Sequence, residues 1–395
     1  MNWFAQVAAL IGFSVRSLPA RMGAALAAIF GIAGVVAVLV GVLSIGAGFH
    51  KVMADTGAPD TAIVLRSGAD SEMTSVLVGA DADVIATAPA VARAAGKPLA
   101  SPELFVVVDL PKRSTGTPAN VPFRGVKAEA FAVRPELKIV QGRAFAWGRN
   151  EVIVGRAAQS QFANTELGTK LHLGQNIWEV VGIFEAKGGI SESELWADAA
   201  VLGPAYRRGN SYQTVMVKLA SPGSFQQFKD ALTADPRVSL RIERETDYYA
   251  AQSRTLRFLV TGLAVVICGL MGLGALFGAL NTMYTAVAAR SREIATLEAI
   301  GFGGMAVMVS VLIEALLLAL AGGLVGAIGA YLAFDGYKTA TMNWQTFSQV
   351  AFAFSVTPAL MGGAILYALV IGAVGGLFPA IRAARLPVSL ALREP

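Results

Sequence analysis

The sequence has few of the residues that catalysis and metal binding use most. Its 395 residues include two histidines, His50 and His172, and one cysteine, Cys268. Because the histidines lie far apart and a single thiol accompanies them, no zinc site of the usual ligand spacing can be drawn. One cysteine also forms no disulfide within the chain, so it carries no information about redox compartment. The sequence therefore predicts no metal site, and we interpret both histidines as structural.

A phosphate-binding loop is absent as well. The pattern G-x-x-x-x-G-K-[ST] occurs nowhere in the sequence, and neither Gly96–Pro98 nor Gly168–Lys170 fits it. No nucleophile elbow and no specifically paired carboxylates stand out. The sequence therefore predicts a non-catalytic chain that holds no cofactor and does not hydrolyse ATP on its own. Any work that it does in a membrane must draw on an ion gradient or on a partner.

Charged residues are scarce in four long stretches. Only 15% of the chain is charged, against about a quarter in a typical soluble protein. Met22–Phe49, Phe258–Tyr284 and Ala351–Ile381 contain no charge, and Met305–Leu332 contains only Glu314. Each stretch exceeds the ~20 apolar residues that cross a bilayer as a helix, and the first far exceeds the roughly 7–15 residues of a signal-peptide core. The sequence predicts four retained transmembrane helices, since buried helices of soluble proteins are rarely apolar on every face.

The distribution of positive charge orients these helices. Arginines concentrate in the tails and in the joint between the second and third stretches, whereas the short segment after the third stretch has only Lys338. The side richer in Lys and Arg faces the cytoplasm, so both termini are expected there. The region 50–257 carries 24 Lys/Arg and 22 Asp/Glu, and this near neutrality argues against a nucleic-acid partner. The orienting arginines are Arg16, Arg21, Arg290, Arg292, Arg382, Arg385 and Arg393.

The region outside the membrane is predicted to be mixed α/β. Five short runs rich in β-branched residues indicate strands: Thr61–Arg66, Leu104–Leu110, Glu151–Gly155, Trp178–Phe184 and Thr214–Ala220. A helix is expected to open near Ser221–Pro222 and to stop before Pro236. Leu167–Phe184 predicts a hairpin with its turn at Gly174–Asn176.

The predicted fold class is therefore an α-helical membrane protein with four transmembrane helices and a large mixed α/β periplasmic domain inserted between helices 1 and 2. The predicted order is a cytoplasmic interfacial helix (1–21), the first transmembrane helix (22–49), the periplasmic domain with two subdomains and stalks (50–253), the second transmembrane helix (254–284), a cytoplasmic helix (285–304), the third transmembrane helix (305–334), a short periplasmic loop (335–353), the fourth transmembrane helix (354–380) and a cytoplasmic tail (381–395).

Inside the membrane the sequence offers one ionisable residue, Glu314. Ion-coupled carriers place several such groups at mid-membrane, so a polar clamp to a neighbouring helix is the preferred interpretation and a proton relay is the alternative. Asn281 and Thr282 are the candidate partners of this clamp. Two pairs of glycines at four-residue spacing, Gly274 with Gly278 and Gly322 with Gly326, predict close helix packing.

The joint between the second and third stretches, Ala286–Gly304, predicts a short amphipathic helix on the cytoplasmic surface. Its apolar residues recur every three positions and its charges lie near its start, and a glycine follows that can end a helix in the left-handed conformation. Such a helix suits a groove on another protein. The residues that form this predicted contact are Arg290, Arg292, Glu293, Ile294, Leu297, Ile300, Gly301 and Phe302.

This stretch, "RSREIATLEAIGF", resembles the coupling helix of MacB-like, FtsX-like ABC transporter permeases. The resemblance extends to the C-terminal stretch Gly375–Pro395, to Glu314 with the apolar residues that follow it, and to the order of one span, a large outer domain and three spans. This family, the type VII or mechanotransmission class, includes lipoprotein-releasing proteins and macrolide exporters. Glu298, Pro387 and the lack of a fused nucleotide-binding domain depart from the family pattern.

The resemblance implies a bacterial inner-membrane permease that works with two copies of a separate ABC ATPase, which would bind ATP and Mg. It also implies a second permease copy, with a homodimer favoured over a heterodimer, and contact with membrane lipids. A periplasmic adaptor and an outer-membrane channel are further candidate partners. The expected function is to couple ATP hydrolysis to periplasmic conformational change, for export or extraction of a lipid, lipoprotein, peptide or drug-like substrate. The alternative is a mechanotransmission regulator that transports nothing and controls a periplasmic enzyme.

Overall fold

The computed structural model describes Gln6, Val7, Gly12 and residues 22–385. Apart from those first three residues, the expected interfacial helix over 1–21 lies outside the described residues, and so does the tail beyond residue 385. The described chain divides into two compact units. A helical unit takes in the residues up to Ala47, Phe258–Tyr337 and the residues from Phe354 onward. An α/β unit takes in Gly48–Arg257 and Lys338–Ala353.

Long helices make up the helical unit and short strands dominate the α/β unit. The described elements follow in the order α1 (Met22–Ala54), β1 (Thr61–Arg66), β2 (Leu77–Val78), α2 (Gly79–Thr87), β3 (Arg93–Ala94), β4 (Lys97–Pro98), β5 (Ala100–Pro111), β6 (Pro118–Val126), α3 (Glu129–Val133), β7 (Lys138–Gly142), β8 (Glu151–Gly155), α4 (Arg156–Gln161), β9 (Lys170–Leu173), β10 (Asn176–Glu185), β11 (Leu195–Asp198), α5 (Ala199–Ala205), β12 (Ser211–Tyr212), β13 (Thr214–Lys218), α6 (Phe225–Thr233), β14 (Leu240–Arg244), α7 (Glu245–Ala289), α8 (Ser291–Ala299), α9 (Gly304–Phe334), β15 (Lys338–Asn343), β16 (Ser348–Ala353) and α10 (Pro358–Ala384).

Four helices of the described chain, α1, α7, α9 and α10, are long and apolar enough to cross a membrane. They differ in how far the chain itself covers them. In the most apolar window of α9 and of α10, 44% of the residues are buried, against 22% in α7. Helix α7 is also the longest, with 45 residues. Its surface therefore remains largely open within this chain.

Glycines of α9 permit a close approach to α1. A side chain at Gly322 would come within 2.8 Å of the Ile29 carbonyl oxygen, and one at Gly326 would collide with the Ala33 carbonyl oxygen. Both carbonyls belong to α1. The predicted close packing at Gly322 and Gly326 is confirmed, because their lack of side chains lets the backbones of α9 and α1 pack directly.

The other predicted glycine pair lies on an open face of α7. Within the described chain, no heavy atom stands within 4 Å of where a Cβ would lie on Gly274 or Gly278. The close contacts of α10 come instead from three glycines that the spacing argument did not single out. A Cβ on Gly372 or Gly376 would press on alanines of α9, and one on Gly375 would press on an alanine of α7.

One mixed sheet runs through the α/β unit in the order β14-β1-β13-β5-β6-β11-β8-β10-β7. Most neighbouring strands are antiparallel, whereas β6 with β11 and β8 with β10 are parallel. One hydrophobic cluster covers β1 and β13 with α2 and α6, and another fills the space around β5, β6, β8 and β10. The two cores thus share a single sheet.

The β-rich runs of the sequence form strands, with small differences at their ends. Thr61–Arg66 and Glu151–Gly155 are strands over their whole length, and the run from Thr214 ends at Lys218. The predicted hairpin turn is one residue shorter than expected, because Asn176 already pairs with Leu173. The helix expected near Ser221–Pro222 begins as a 3-10 turn, Pro222–Ser224, and continues as α6.

The segment predicted as a short loop over 335–353 contains a β-hairpin instead. Strands β15 and β16 pair from Lys338 with Ala353 to Asn343 with Ser348, and both strands belong to the α/β unit. The backbone N–H of Ala351 donates to Ser193 Oγ at 3.0 Å. Residues of β16 alternate between buried and half-buried, as expected of a strand. The prediction of a loop considered only the charges of this segment and not this alternation.

Candidate coupling site

Helix α8 begins after Arg290 and ends at a glycine stop. Gly301 has φ +100°, and its N–H donates to the Glu298 carbonyl at 3.0 Å. The N–H of Phe302 donates to the Leu297 carbonyl at 3.0 Å. These two bonds satisfy the last carbonyls of the helix, which is the arrangement that a left-handed glycine permits. The expectation of a glycine stop at this position is confirmed.

The apolar side of α8 faces the chain's own helices. Ile294 is 7% exposed and lies in a hydrophobic cluster with Met283 of α7 and Val307 of α9. Leu297 and Phe302 pack against the same cluster. Helical spacing defines a ridge but does not say which neighbour covers it, so contact of Ile294 and Leu297 with a partner stays a prediction. In this chain they fix α8 to α7 and α9.

The opposite side of α8 remains open. Arg292, Glu293 and Thr296 are exposed there. Beyond the last turn, Ile300 is 70% exposed, and Met305 at the start of α9 is also exposed. This face combines charge of both signs with a small apolar end, and we call it the open face of α8.

Arg290 links the start of α8 to the middle of the helical unit. Its Nη1 lies 3.1 Å from Glu314 Oε2, and the two side chains are 12% and 7% exposed. Its Nε lies 3.3 Å from Glu293 Oε2 on the next turn. The sequence had offered Asn281 and Thr282 of α7 as partners of Glu314. Asn281 is exposed, and the acid instead pairs with Arg290, which the sequence had assigned to partner contact.

Glu298, which departs from the family pattern, is half-buried. A Cβ on Gly304 would lie 3.3 Å from Glu298 Oε1 and 2.7 Å from the Ala384 carbonyl oxygen. Burial raises the pKa of the Glu298 carboxyl. This acid therefore belongs to the packed side of the joint between α8 and α9.

The α/β unit contains a second charged site, which sequence reasoning missed. We call it the buried charge cluster: Glu72, Glu103, Arg124, Arg134, Glu194 and Glu245. All six side chains are at most 3% exposed. A buried charge is costly unless it is paired and hydrogen-bonded, so the pairing within the cluster is the feature that explains it.

Arg124 on β6 lies at the centre of the cluster. Its Nη1 and Nη2 contact the two carboxylate oxygens of Glu72 at 2.6 and 3.1 Å. Its Nε and Nη2 contact the two oxygens of Glu194 at 2.8 Å each, and Nη1 also lies 3.0 Å from Glu103 Oε2. The guanidinium thus uses its planar fork on both sides. The indole N–H of Trp196 donates to Glu194 Oε2 at 2.7 Å.

Arg134 extends the cluster toward α7. Its Nη1 and Nη2 contact Glu103 Oε1 and Oε2 at 2.6 and 3.0 Å, and its Nε lies 3.8 Å from Glu245 Oε1. Burial raises the pKa of Glu72 despite its pairing with Arg124. Burial also acts to raise the pKa of Glu103, but the guanidiniums of Arg134 and Arg124 outweigh it and hold that pKa below its usual range.

Comparison with known proteins assigns the chain to a family. The family model of the MacB-like periplasmic core domain matches residues 25–235, and that of the FtsX-like permease C-terminal region matches residues 265–388. The chain belongs to the MacB-like, FtsX-like family of ABC transporter permeases. In this family the ATPase is a partner or a fused domain, and the chain has the permease parts.

Individual relatives agree with this assignment. A macrolide export ATP-binding/permease protein MacB from Nitrosomonas europaea is 27% identical over 279 residues, which cover 65% of this chain and 40% of the relative. An uncharacterized ABC transporter permease, YknZ from Bacillus subtilis, is 25% identical over 281 residues, covering 65% of this chain and 66% of the relative. The chain therefore spans less than half of the MacB relative's length.

Among solved structures, the periplasmic region of MacB from Actinobacillus actinomycetemcomitans aligns with 49% of this chain and 93% of its own. The sequence identity is 16% and the TM-score is 0.37. The assignment to the MacB-like family therefore rests on the family models.

Proposed function

We propose that the chain is the transmembrane subunit of an ABC transporter in which a separate ATPase drives conformational change of the α/β unit. The substrate would be exported or extracted, and a lipid, lipoprotein, peptide or drug-like molecule fits the class. Family membership supports the permease role. The coupling mechanism and the substrate are our inference.

The two-sided character of α8 carries this proposal. Its apolar side packs against α7 and α9, with Ile294 buried among them, whereas Arg292, Glu293 and Ile300 are exposed. A helix that is anchored on one side and open on the other can receive a push from a partner and pass it to α7 and α9. The open face of α8 offers charge and an apolar end, which suits a groove on an ATPase.

The proposed setting is the bacterial inner membrane. α1, α7, α9 and α10 would cross it, both termini and α8 would lie in the cytoplasm, and the α/β unit would lie in the periplasm. The concentration of arginine around α8 and the termini supports this orientation. The large exposed apolar surface of α7 supports contact with lipid or with a second permease copy.

The proposed assembly has two permease copies and two ATPase copies, with ATP and Mg bound by the ATPase. A homodimer is our preferred form over a heterodimer with another permease. A periplasmic adaptor and an outer-membrane channel would join the assembly if the cargo leaves the cell envelope.

Purification of the full chain from its native membrane tests the proposal. We expect an ATP-binding protein to co-purify with the wild-type chain. Glu293→Lys and Ile300→Asp on the open face of α8 should each reduce its recovery by at least about tenfold, equal to ~1.4 kcal/mol. The matched control is Lys229→Glu, a charge reversal at an exposed position of α6, which should leave recovery unchanged.

Three outcomes would contradict the proposal. The first is that no ATP-binding protein co-purifies under any gentle solubilisation. The second is that both α8 variants retain it, and the third is that the control loses it equally. Recovery of the ATPase together with a periplasmic hydrolase and no cargo would instead favour the regulator of a periplasmic enzyme.

A further inference from the structure

We propose that the buried charge cluster is the joint that fixes the first two turns of α7 to the sheet of the α/β unit. Movement of α7 would then be carried into the sheet rather than lost at the start of the helix. The direction of this transmission rests on the proposed function, but the joint itself is a property of this chain alone.

The start of α7 differs from the rest of the helix in its burial. Its buried residues recur at helical spacing over the first nine positions and are all polar or aromatic, whereas most positions from Arg254 onward are exposed. One face of the first two turns is therefore packed within the α/β unit. These residues are Glu245, Tyr248, Tyr249, Gln252 and Ser253.

Glu245 is the first residue of α7 and is held on several sides. Its Oε2 lies 2.5 Å from Thr61 Oγ1 at the start of β1. A side chain on Gly57, which has φ +89°, would come within 2.7 Å of Glu245 Cγ. Only glycine takes that conformation and leaves that space without strain. The segment that follows α1 is thus shaped around this carboxyl.

A closed ring of contacts leads from α7 into the sheet and back. Glu245 faces Arg134, Arg134 holds Glu103 on β5, and Glu103 meets Arg124 on β6. From Arg124 the ring continues to Glu72, whose backbone N–H donates to Tyr248 Oη at 3.1 Å. Tyr248 lies one turn after Glu245 on the same face of α7, so two successive turns of α7 are attached to the ring.

Burial makes this ring a stiff connection. With side chains at most 3% exposed, its charges have no water to exchange partners with. Low local dielectric strengthens each contact, and a charge left without its partner there is costly.

Hydrogen exchange of the full chain in detergent tests the joint. We expect the amides of 245–253 to exchange as slowly as those of β1 in the wild type. Glu245→Ala should accelerate exchange in 245–253 by about tenfold or more while β5 and β6 stay protected, because local opening exposes only the unit that has lost its contacts. Glu245→Gln keeps the side-chain shape and a hydrogen bond with Thr61 but loses the charge facing Arg134, so it should accelerate exchange less than Glu245→Ala does.

A disulfide provides the rescue. The register of β1 and β14 ends with Ala62 opposite Arg244, and the side chains of the next residues, Thr61 and Glu245, are in hydrogen-bond contact; we therefore choose these two positions for the disulfide. In a Cys268→Ala background, oxidised Thr61→Cys/Glu245→Cys should restore slow exchange of 245–253, and the reduced form should resemble Glu245→Ala. This comparison uses one folded protein in two redox states, so a general folding defect cannot imitate it.

A spin-label distance gives the functional readout. With labels on Lys229→Cys and Arg254→Cys, both exposed, we expect a narrow distance distribution in the Cys268→Ala chain that stays the same when the co-purified ATPase is given ATP. Glu245→Ala should broaden it, although the ATPase still co-purifies. Three results would each contradict the proposed joint. They are unchanged exchange in Glu245→Ala, equal acceleration of exchange throughout the sheet, and no return to slow exchange in the oxidised disulfide variant. Absence of any ATPase would count against the proposed function instead, since the exchange experiment needs no partner.

Discussion

The pair between Arg290 and Glu314 allows a quantitative test of what the single acid of α9 does. Glu314→Leu removes a carboxylate whose oxygen lies 3.1 Å from a guanidinium that is 12% exposed. Loss of one member of a buried pair typically costs ~3–5 kcal/mol. Arg290 retains some contact with solvent and lies 3.3 Å from Glu293, so we expect a smaller loss than this, about 2–3 kcal/mol. At about 2–4 °C per kcal/mol, the Tm should fall by roughly 5–10 °C.

The chain contains its own reporter for this measurement. Cys268 is the only cysteine and is buried, so a thiol-reactive fluorescent dye reports unfolding in detergent. Arg290→Met, Glu314→Leu and the double variant complete a double-mutant cycle. Because an apolar pair can replace a buried ion pair at little cost, the double variant should recover most of the Tm that Glu314→Leu loses. Additive losses in the double variant would refute the reasoning.

Glu314→Gln separates the structural role from a proton relay. An amide oxygen still accepts a hydrogen bond from Arg290, so we expect a small loss of Tm and near-normal ATPase stimulation. An amide cannot release a proton, and a relay would therefore fail. A Gln variant with normal Tm and assembly but no activity would reverse the assignment.

Three further predictions concern topology, packing and nucleotide binding. In a Cys268→Ala background, Ser114→Cys should react with an impermeant thiol reagent added to cells whose inner membrane is intact, and Ser291→Cys should not. The reverse pattern would overturn the proposed orientation. In the dye assay, Gly326→Leu should lower the Tm by more than about 5 °C because its space is filled by α1, whereas Gly274→Leu should change it little; equal effects would contradict the packing described here. The purified chain alone should show no ATP binding at micromolar concentration by calorimetry, and a measurable binding isotherm would count against a permease without its own nucleotide site.

The features that depend on local pattern were predictable from the sequence. Runs without charge marked the four apolar helices, because a helix in hydrocarbon cannot tolerate many ionised groups. Runs of β-branched residues marked strands such as Glu151–Gly155, and a glycine after an amphipathic stretch marked the end of α8. The strand and α8 signals each lie within about ten neighbouring residues, and the signal of each apolar helix lies within about thirty. Patterns of this length can be recognised in the sequence.

The features that depend on distant pairing were not predictable in the same way. The buried charge cluster joins residues separated by up to 173 positions, from Glu72 to Glu245, and periodicity says nothing about such pairs. A local hint existed, because Arg124 and Glu103 are charged residues in strands that are mostly apolar. Such interruptions require a partner inside the fold, but only the fold identifies it. The same limit explains why the sequence did not show that α7 and α9 lie against the ridge of α8.

The contacts at the two ends of α7 make it our candidate for carrying movement under the proposed function. A helix of 45 residues is about 68 Å long at 1.5 Å per residue, which exceeds the ~30 Å of a bilayer core. At its C-terminal end, the buried pair of Arg290 with Glu314 fixes the junction to α8. At its N-terminal end, Glu245 and Tyr248 fix it to the buried charge cluster. Between these ends the helix is mostly exposed within this chain. Under the proposed function, the charged contacts at the two ends of α7 are therefore where we expect variants to separate ATP hydrolysis from movement of the α/β unit.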